Sequence, residues 1–334
     1  MTIIPSSVVA VIITTLIAFI TSATLIHGLG SGSTVAVSYG SNTICGIVAE
    51  EPTQRIVCYR GGRIISVLPN ISFSSISGGR NSFCGLTSDG RLLLCWDTTS
   101  SNTTLHFRRV YYNDTVLLEN LAVDGDEVCA TVNGVNVTGV VKCWRGDRSS
   151  QNLPSEVESF VSISSGLGFS CGIRENTRRV RCWGNNAIVT EIETQFGNMP
   201  MWSIIAGGSH VCGLNTSGSL LCEGSNSSGQ LNVPTDSSME FSKVALGANH
   251  TCAIWKSNGT VVCWGGGGQF LVNATANISF ESIESGFNYT CGLTKGNFSI
   301  ICWGPGWPNN QSYSDLPLPK ILPGPCVQPS SCHV

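Results

Sequence analysis

Sixteen cysteines hold most of the reactive chemistry in this 334-residue chain. Fourteen fall into successive pairs: Cys45 and Cys58, Cys84 and Cys95, Cys129 and Cys143, Cys171 and Cys182, Cys212 and Cys222, Cys252 and Cys263, Cys291 and Cys302. An eighth pair, Cys326 and Cys332, stands apart. Reducing compartments rarely leave so many thiols paired, so the expected chemistry is a disulfide framework formed in an oxidising one.

Other groups invite sharper readings. His210 and His250 each stand two residues before the first cysteine of a pair, in GGSHVC and GANHTC, where a metal pair is conceivable. The same position elsewhere holds Thr43, Ser82, Glu127, Phe169 and Tyr289, which cannot complete a ring of ligands, so a structural role is expected. The run Gly265 to Gly268 lacks the Lys-Ser/Thr pair of a phosphate cradle and reads as a turn. Neither G-x-S-x-G nor H-E-x-x-H occurs, and Glu191, Glu193, Glu281 and Glu284 read as solvent-facing. No catalytic residue, metal or other cofactor is expected.

The elements that place the cysteines follow from their period. First members of the seven pairs are 39, 45, 42, 41, 40 and 39 residues apart. About forty residues suit four short strands with their turns, which make one propeller blade. Five residues before the first cysteine stands Gly40, Gly79, Gly166, Gly207, Gly247 or Gly286, and Gly125 comes one place late. Before the glycine come Val37, Ile76, Ile163, Ile204, Val244 and Ile283, and before those Phe73, Phe160, Met201, Phe241 and Phe280. An apolar strand that ends where the backbone turns has this pattern. Trp96, Trp144, Trp183, Trp264 and Trp303 follow the second cysteine, while Tyr59 and Glu223 are exceptions; the rings are expected between blades.

The interval from Cys84 to Cys95 is centred on Asp89 and Gly90, a favoured two-residue hairpin turn. Cys291 and Cys302 centre on Gly296 and Asn297. Opposed residues on antiparallel strands have Cα atoms about 4.5 to 5.5 Å apart, within a disulfide's reach. One bond per hairpin explains the spacing; links between blades are the alternative. The expectation is an all-β, seven-bladed β-propeller with one disulfide-stapled hairpin per blade, over residues 34–322.

Composition agrees with an extracellular chain. Charged residues make up 12%, glycines number 38, and the net charge of −3 comes without a basic run, which argues against nucleic acid as a partner. Val8 to Ile20 form an apolar core followed by small residues, as in a secretory signal, here assigned to residues 1–27 although its start lacks Lys and Arg. Thirteen N-x-S/T sequons occur, against roughly five expected by chance. Asn70, Asn102, Asn113, Asn136, Asn215, Asn226, Asn258, Asn273, Asn277, Asn297 and Asn310 are expected to carry glycan. Asn249 and Asn288 read as lying inside a strand, where they would be skipped.

The pattern F-x-x-I-x-x-G-x-x-x-x-C-G-L, a short hairpin and C-W-G resembles the regulator-of-chromosome-condensation repeat family. With two cysteines per unit it is similar to the extracellular propeller of plant crinkly-type receptor-like kinases. The resemblance implies a recognition ectodomain followed by a Cys-rich membrane-proximal segment, a membrane helix and a Ser/Thr kinase. Cys326 and Cys332 would begin that segment, leaving a stub at 323–334. No V-A-I-K, H-R-D or D-F-G is present, so kinase activity is not carried over; the chain is expected to be a soluble relative or a truncated receptor.

A propeller presents loops on a rigid scaffold, so binding is the expected function. The connection TTSSNTTLHFRRVYYND is longer than its equivalents and carries His106, Arg108, Arg109, Tyr111 and Tyr112, the composition of interface anchors. The expected partner is an extracellular peptide, protein or second ectodomain, met in the secreted state or at the cell surface. A small-GTPase exchange factor and a secreted enzyme inhibitor are the competing readings; the first would need a reducing compartment.

Overall fold

The computed structural model of the chain describes residues 33–98, 105–125, 127–144, 152–234, 241–270, 275, 277–308 and 315–324. The signal-like residues 1–27, most of 323–334 with Cys326 and Cys332, and Asn102, Asn273 and Asn310 lie outside these. Among the described residues seven antiparallel sheets form, one for each of the seven cysteine pairs from Cys45 and Cys58 to Cys291 and Cys302.

Blade one contains β1 (Val35–Ser38), β2 (Thr43–Ile47), β3 (Ile56–Arg60) and β4 (Arg63–Val67). Blade two contains β5 (Phe73–Gly78), β6 (Ser82–Thr87), β7 (Leu92–Asp97) and β8 (Phe107–Tyr112). Blade three follows with β9 (Leu117–Asp124), β10 (Glu127–Gly134) and β11 (Val137–Trp144), and blade four with β12 (Phe160–Ser165), β13 (Phe169–Arg174) and β14 (Val180–Gly184). Blade five has β15 (Ile205–Ala206), β16 (His210–Leu214) and β17 (Leu220–Gly224). Blade six has β18 (Phe241–Leu246), β19 (His250–Trp255) and β20 (Val261–Gly265). Blade seven has β21 (Phe280–Ser285), β22 (Thr290–Thr294) and β23 (Ile300–Trp303). The first strands of the blades, β1, β5, β9, β12, β15, β18 and β21, are neighbours in a closed ring.

Each of the seven disulfides among the described residues joins the second and third strands of its own blade, at Cα separations of 3.9 to 4.1 Å. Those cysteines are directly opposed, as Cys84 is to Cys95. The turns differ from expectation. Thr87 O accepts from Gly90 N at 2.9 Å, so Ser88 and Asp89 take the middle of the turn and Gly90 follows at φ 69°. Four residues therefore separate Thr87 from Leu92, and the extra length lets the chain reverse through one left-handed residue. In the last hairpin Phe298, not Gly296, takes the positive φ.

The repeat glycine has a packing reason. A Cβ on Gly207 would lie 2.7 Å from Gly247 O, and one on Gly247 would lie 2.8 Å from Gly286 O. Inner turns thus meet backbone to backbone around the ring. Blade one departs from the register read in the sequence: Cys45 opposes Ala36 and Val35 opposes Gly46, whereas in blade seven Cys291 opposes Glu284 and Ile283 opposes Gly292. Val35 is therefore the counterpart of Ile283, and Gly40 falls in a turn two residues longer than the others. In blade three Asp124 opposes Glu127 at the repeat glycine's position.

The tryptophans pack against the preceding blade, which burial of a large ring favours. Trp96 is buried with Ile47 and Ile56, Trp183 with Ala122 and Cys129, Trp264 with Ile205 and Leu214, and Trp303 with Ala245 and Ile254. The repeat phenylalanines meet them inside the blade, with ring centroids 5.7 Å apart for Phe160 and Trp183 and 5.3 Å for Phe280 and Trp303.

Four strands per blade hold only for blades one and two among the described residues. Beside blade four the chain forms a helix instead, α1 (Ile188–Phe196), burying Val189, Ile192 and Phe196. Its Glu193 Oε1 accepts from Cys182 N at 2.7 Å and from the Arg181 guanidinium at 3.0 Å. Gln195 Oε1 accepts from Gly224 N at 2.7 Å. One helix thus satisfies backbone donors on β14 and β17, a standard way to cover sheet edges.

Candidate recognition surface

The longer connection resolves into a strand. Arg108 opposes Cys95 and Arg109 opposes Leu94, so β8 is the outermost strand of blade two, and no strand pairs with its other edge among the described residues. His106, Phe107, Arg108, Arg109 and Tyr112 are exposed along it. The Arg109 guanidinium lies 6.0 Å from the Tyr112 ring centroid, and the Tyr112 hydroxyl donates to Asp114 Oδ1 at 2.7 Å. That acceptor holds the Tyr112 hydroxyl above its ordinary range. Tyr111 departs from the set: its ring packs 5.4 Å from Trp144 and its hydroxyl donates to Val116 O at 2.7 Å. Four of the five residues named from sequence share an exposed, basic and aromatic sheet edge.

The histidines are structural. His210 Nε2 is 2.9 Å from Thr251 Oγ1 of blade six, and His250 Nε2 is 3.0 Å from Thr290 Oγ1 of blade seven. Tyr289, at the same repeat position, donates to Ser38 O of blade one at 2.8 Å. Each is buried and bonds across to the next blade. Burial pushes both imidazoles down to about 3, with His210 adding to the effect at His250. The glycine run is a 3₁₀ turn, Gly266–Gly268, with Phe270 stacked on His250 at 3.7 Å. Glu127, Cys129 and Cys143 approach one another, but both sulfurs are in one disulfide and cannot act as thiolate ligands.

The acidic residues are not uniformly solvent-facing. Glu191 and Glu193 are on α1, and Glu193 covers a strand edge. Glu284 is buried on β21, its Oε1 has no partner, and burial raises its carboxyl well above the usual range despite Ser33 and Lys243 nearby. A polar residue at a strand position next to the repeat isoleucine has no signature in sequence; only the ring geometry buries it.

Strand alternation sorts the sequons onto two faces. Hairpin turns carry Asn136, Asn215, Asn258 and Asn297, and the connections that lead into β5, β9 and β21, on the same face, carry Asn70, Asn113 and Asn277. The opposite face carries Asn226, Asn249 and Asn288. Asn249 and Asn288 are exposed turn residues that precede β19 and β22, so the strand placement read in the sequence is corrected: the inner strand stops at the glycine and the next begins after the asparagine.

A region described as "Regulator of chromosome condensation (RCC1) repeat" matches residues 160–187, which span β12 to β14. The putative serine/threonine-protein kinase-like protein CCR3 of Arabidopsis thaliana is 49% identical over 196 residues, 58% of this chain and 23% of that protein. The homologues of this chain are crinkly-type kinase-like proteins. The Arabidopsis kinase-like protein CCR2 is 29% identical over 63% of this chain, so the chain spans less than a third of these relatives. Among solved structures, the entire ectodomain of the Physcomitrella patens receptor kinase CR4 has a TM-score of 0.68 at 26% identity, covering 84% of this chain and 76% of that one. The CRINKLY WD40 ectodomain of the Arabidopsis receptor kinase ACR4 covers 86% and 100% with a TM-score of 0.65; at 24% identity it shows the shared fold. The likeness to the CR4 ectodomain therefore covers more of this chain than the match to CCR3 does. No helix among the described residues is long and apolar enough to cross a membrane.

Proposed function

We propose that the chain is an extracellular, N-glycosylated recognition propeller of the crinkly-type receptor kinase kind, which binds a peptide or protein and performs no catalysis. The observation that carries this reading is a ring whose seven blades are each closed by a disulfide, in the shape of two receptor-kinase ectodomains. Disulfides in that number belong to the secretory route, and a rigid scaffold lowers the ordering cost of a binding surface. The edge of β8 supports it further. A strand with one edge left unpaired among the described residues can accept a partner strand by backbone hydrogen bonding, with Arg108, Arg109 and Tyr112 supplying selectivity.

The test uses the glycoprotein secreted from a plant or insect host, immobilised and exposed to a panel of extracellular domains and secreted peptides. The expected result is saturable binding to an extracellular protein or peptide, weakened at least fivefold by joint Arg108→Ala and Arg109→Ala substitution. ATP-dependent phosphotransfer by the purified chain, or binding confined to a small GTPase, would overturn it.

A further inference from the structure

The repeat accounts for the buried aromatics of the ring but not for Trp202. Met201 fills the buried position that Phe73, Phe160, Phe241 and Phe280 hold elsewhere. The residue after it is Ser74, Val161, Ser242 or Glu281 in those blades and Trp202 here, 59% exposed. A ring so exposed adds little to the core, so the fold has no need of it.

Its surroundings are fixed. Trp202 N donates to Leu214 O at 2.7 Å, and Met201 N donates to Arg178 O at 2.8 Å. The Arg178 guanidinium carbon lies 5.2 Å from the Trp202 ring centroid. Arg178 has φ 58°, whereas the turns of blades five and six place Gly218 and Gly259 in that region. A side chain there costs about 1 kcal/mol that glycine avoids, and only Phe298 of blade seven, at φ 54°, shares that cost at the equivalent position. Arg174, Asn176 and Thr177 of the same hairpin line, together with Val157, Glu158 and Ser159, a hollow of about 240 Å³. Val157 is 92% exposed beside it.

Two of the arginines here are left without an acidic partner. Arg174 is held by Glu158 at 2.8 Å, while Arg178 and exposed Arg179 have no carboxylate within 4.0 Å among the described residues. Glu175 is the other acid of the turn and exposed Glu156 stands before Val157, so what favours an anion here is the pair Arg178 and Arg179, which no carboxylate holds among the described residues, rather than a net positive charge. Tryptophan and arginine beside exposed aliphatic groups make the usual centre of a protein interface.

Resting on the reading of the chain as a recognition propeller, we propose that Trp202 and the blade-four hairpin form a docking site for an acidic peptide segment of the partner. A carboxylate of the segment pairs with Arg178 and Arg179. An apolar side chain packs on the face of Trp202 that Arg178 leaves open, and its neighbours run toward the hollow under Val157.

The experiment selects a displayed library of random dodecapeptides on the secreted glycoprotein, with an unrelated propeller as the counter-selection. Expected winners are rich in Asp and Glu around an aromatic or aliphatic residue, bind more weakly as salt rises, and lose at least tenfold in affinity to Trp202→Ala and to Arg178→Gly. Arg178→Gly installs the residue that the turns of blades five and six use, so unchanged melting separates lost contact from lost fold. Peptides that bind both variants as well as the parent overturn the site, as does selection without acidic enrichment or displacement of the peptides by a carboxylated oligosaccharide. If binding falls only with Arg108→Ala and Arg109→Ala, this site is wrong while the recognition function stands.

Discussion

Burying an imidazole strips it of water, so the ring stays neutral unless an anion lies beside it. For His210 and His250 the partners are hydroxyls of the next blade, and their Nδ1 atoms have none. Both rings titrate at about 3 in the fold and at about 6.5 when unfolded. The unfolded chain therefore binds the extra protons as pH falls, and their stabilisation is complete above about pH 6.5 and lost toward pH 3. At about pH 5 each histidine costs roughly 2 kcal/mol. Glu284 acts in the opposite sense, since its raised folded value favours the fold on acidification and offsets part of the loss. Melting curves at about pH 7 and pH 5 should show the parent losing more melting temperature than a His210→Gln, His250→Gln double variant. Equal losses would mean that these rings do not govern the acid limb.

At the scale of the element, what the sequence made legible was whatever repeats in register. Cysteine spacing set the hairpins, and the position after the second cysteine set the Trp96, Trp183, Trp264 and Trp303 contacts between blades. Departures were hidden where one unit changed length. Gly40 keeps its distance from Cys45 while the turn grows by two residues, so counting residues concealed the shift of β1. Helix α1 was readable in principle, because Ile188, Val189, Ile192 and Phe196 follow helical spacing, but a fixed four-strand repeat leaves no place for it. The pairing of half-buried Arg178 with exposed Trp202 was invisible, since the residues are 24 apart and meet only because neighbouring blades abut. Sequons illustrate the same limit. Asn249 and Asn288 looked extended by position, yet both stand exposed in turns, so the reason to expect them unmodified disappears. Glycopeptide mass spectrometry of the secreted chain should find glycan on Asn136 and Asn258 at hairpin tips and also on Asn249 and Asn288. Bare Asn249 and Asn288 in chains modified elsewhere would restore the original reading.

For the whole molecule the decisive join is between blades seven and one, because seven separately stapled blades still need one seam to close the ring. Tyr289 crosses it through Ser38 O. The segment after blade seven crosses it as well: Leu316 N donates to Ile300 O, Ile321 N to Phe298 O and Leu322 N to Ile47 O. Thr34 Oγ1 donates to Leu322 O at 2.8 Å, Ile321 bridges to Val48, and Lys320 Nζ lies 3.0 Å from Glu50 Oε1. The exposed Lys320 pair adds little in water. Ile321 matters more, since it is fully buried against Gly46, where a Cβ would fall 2.7 Å from its Cδ1. Truncating a buried isoleucine to alanine costs about 2 to 5 kcal/mol. Because the disulfides hold each hairpin independently, the loss at Ile321→Ala should appear first as opening of the seam rather than as melting of blades. Hydrogen exchange should then quicken in β1, β2 and β21 to β23 while β12 to β14 keep their protection. A uniform rise across all seven blades would show that the ring opens as one cooperative unit and that the seam is no weaker than the rest.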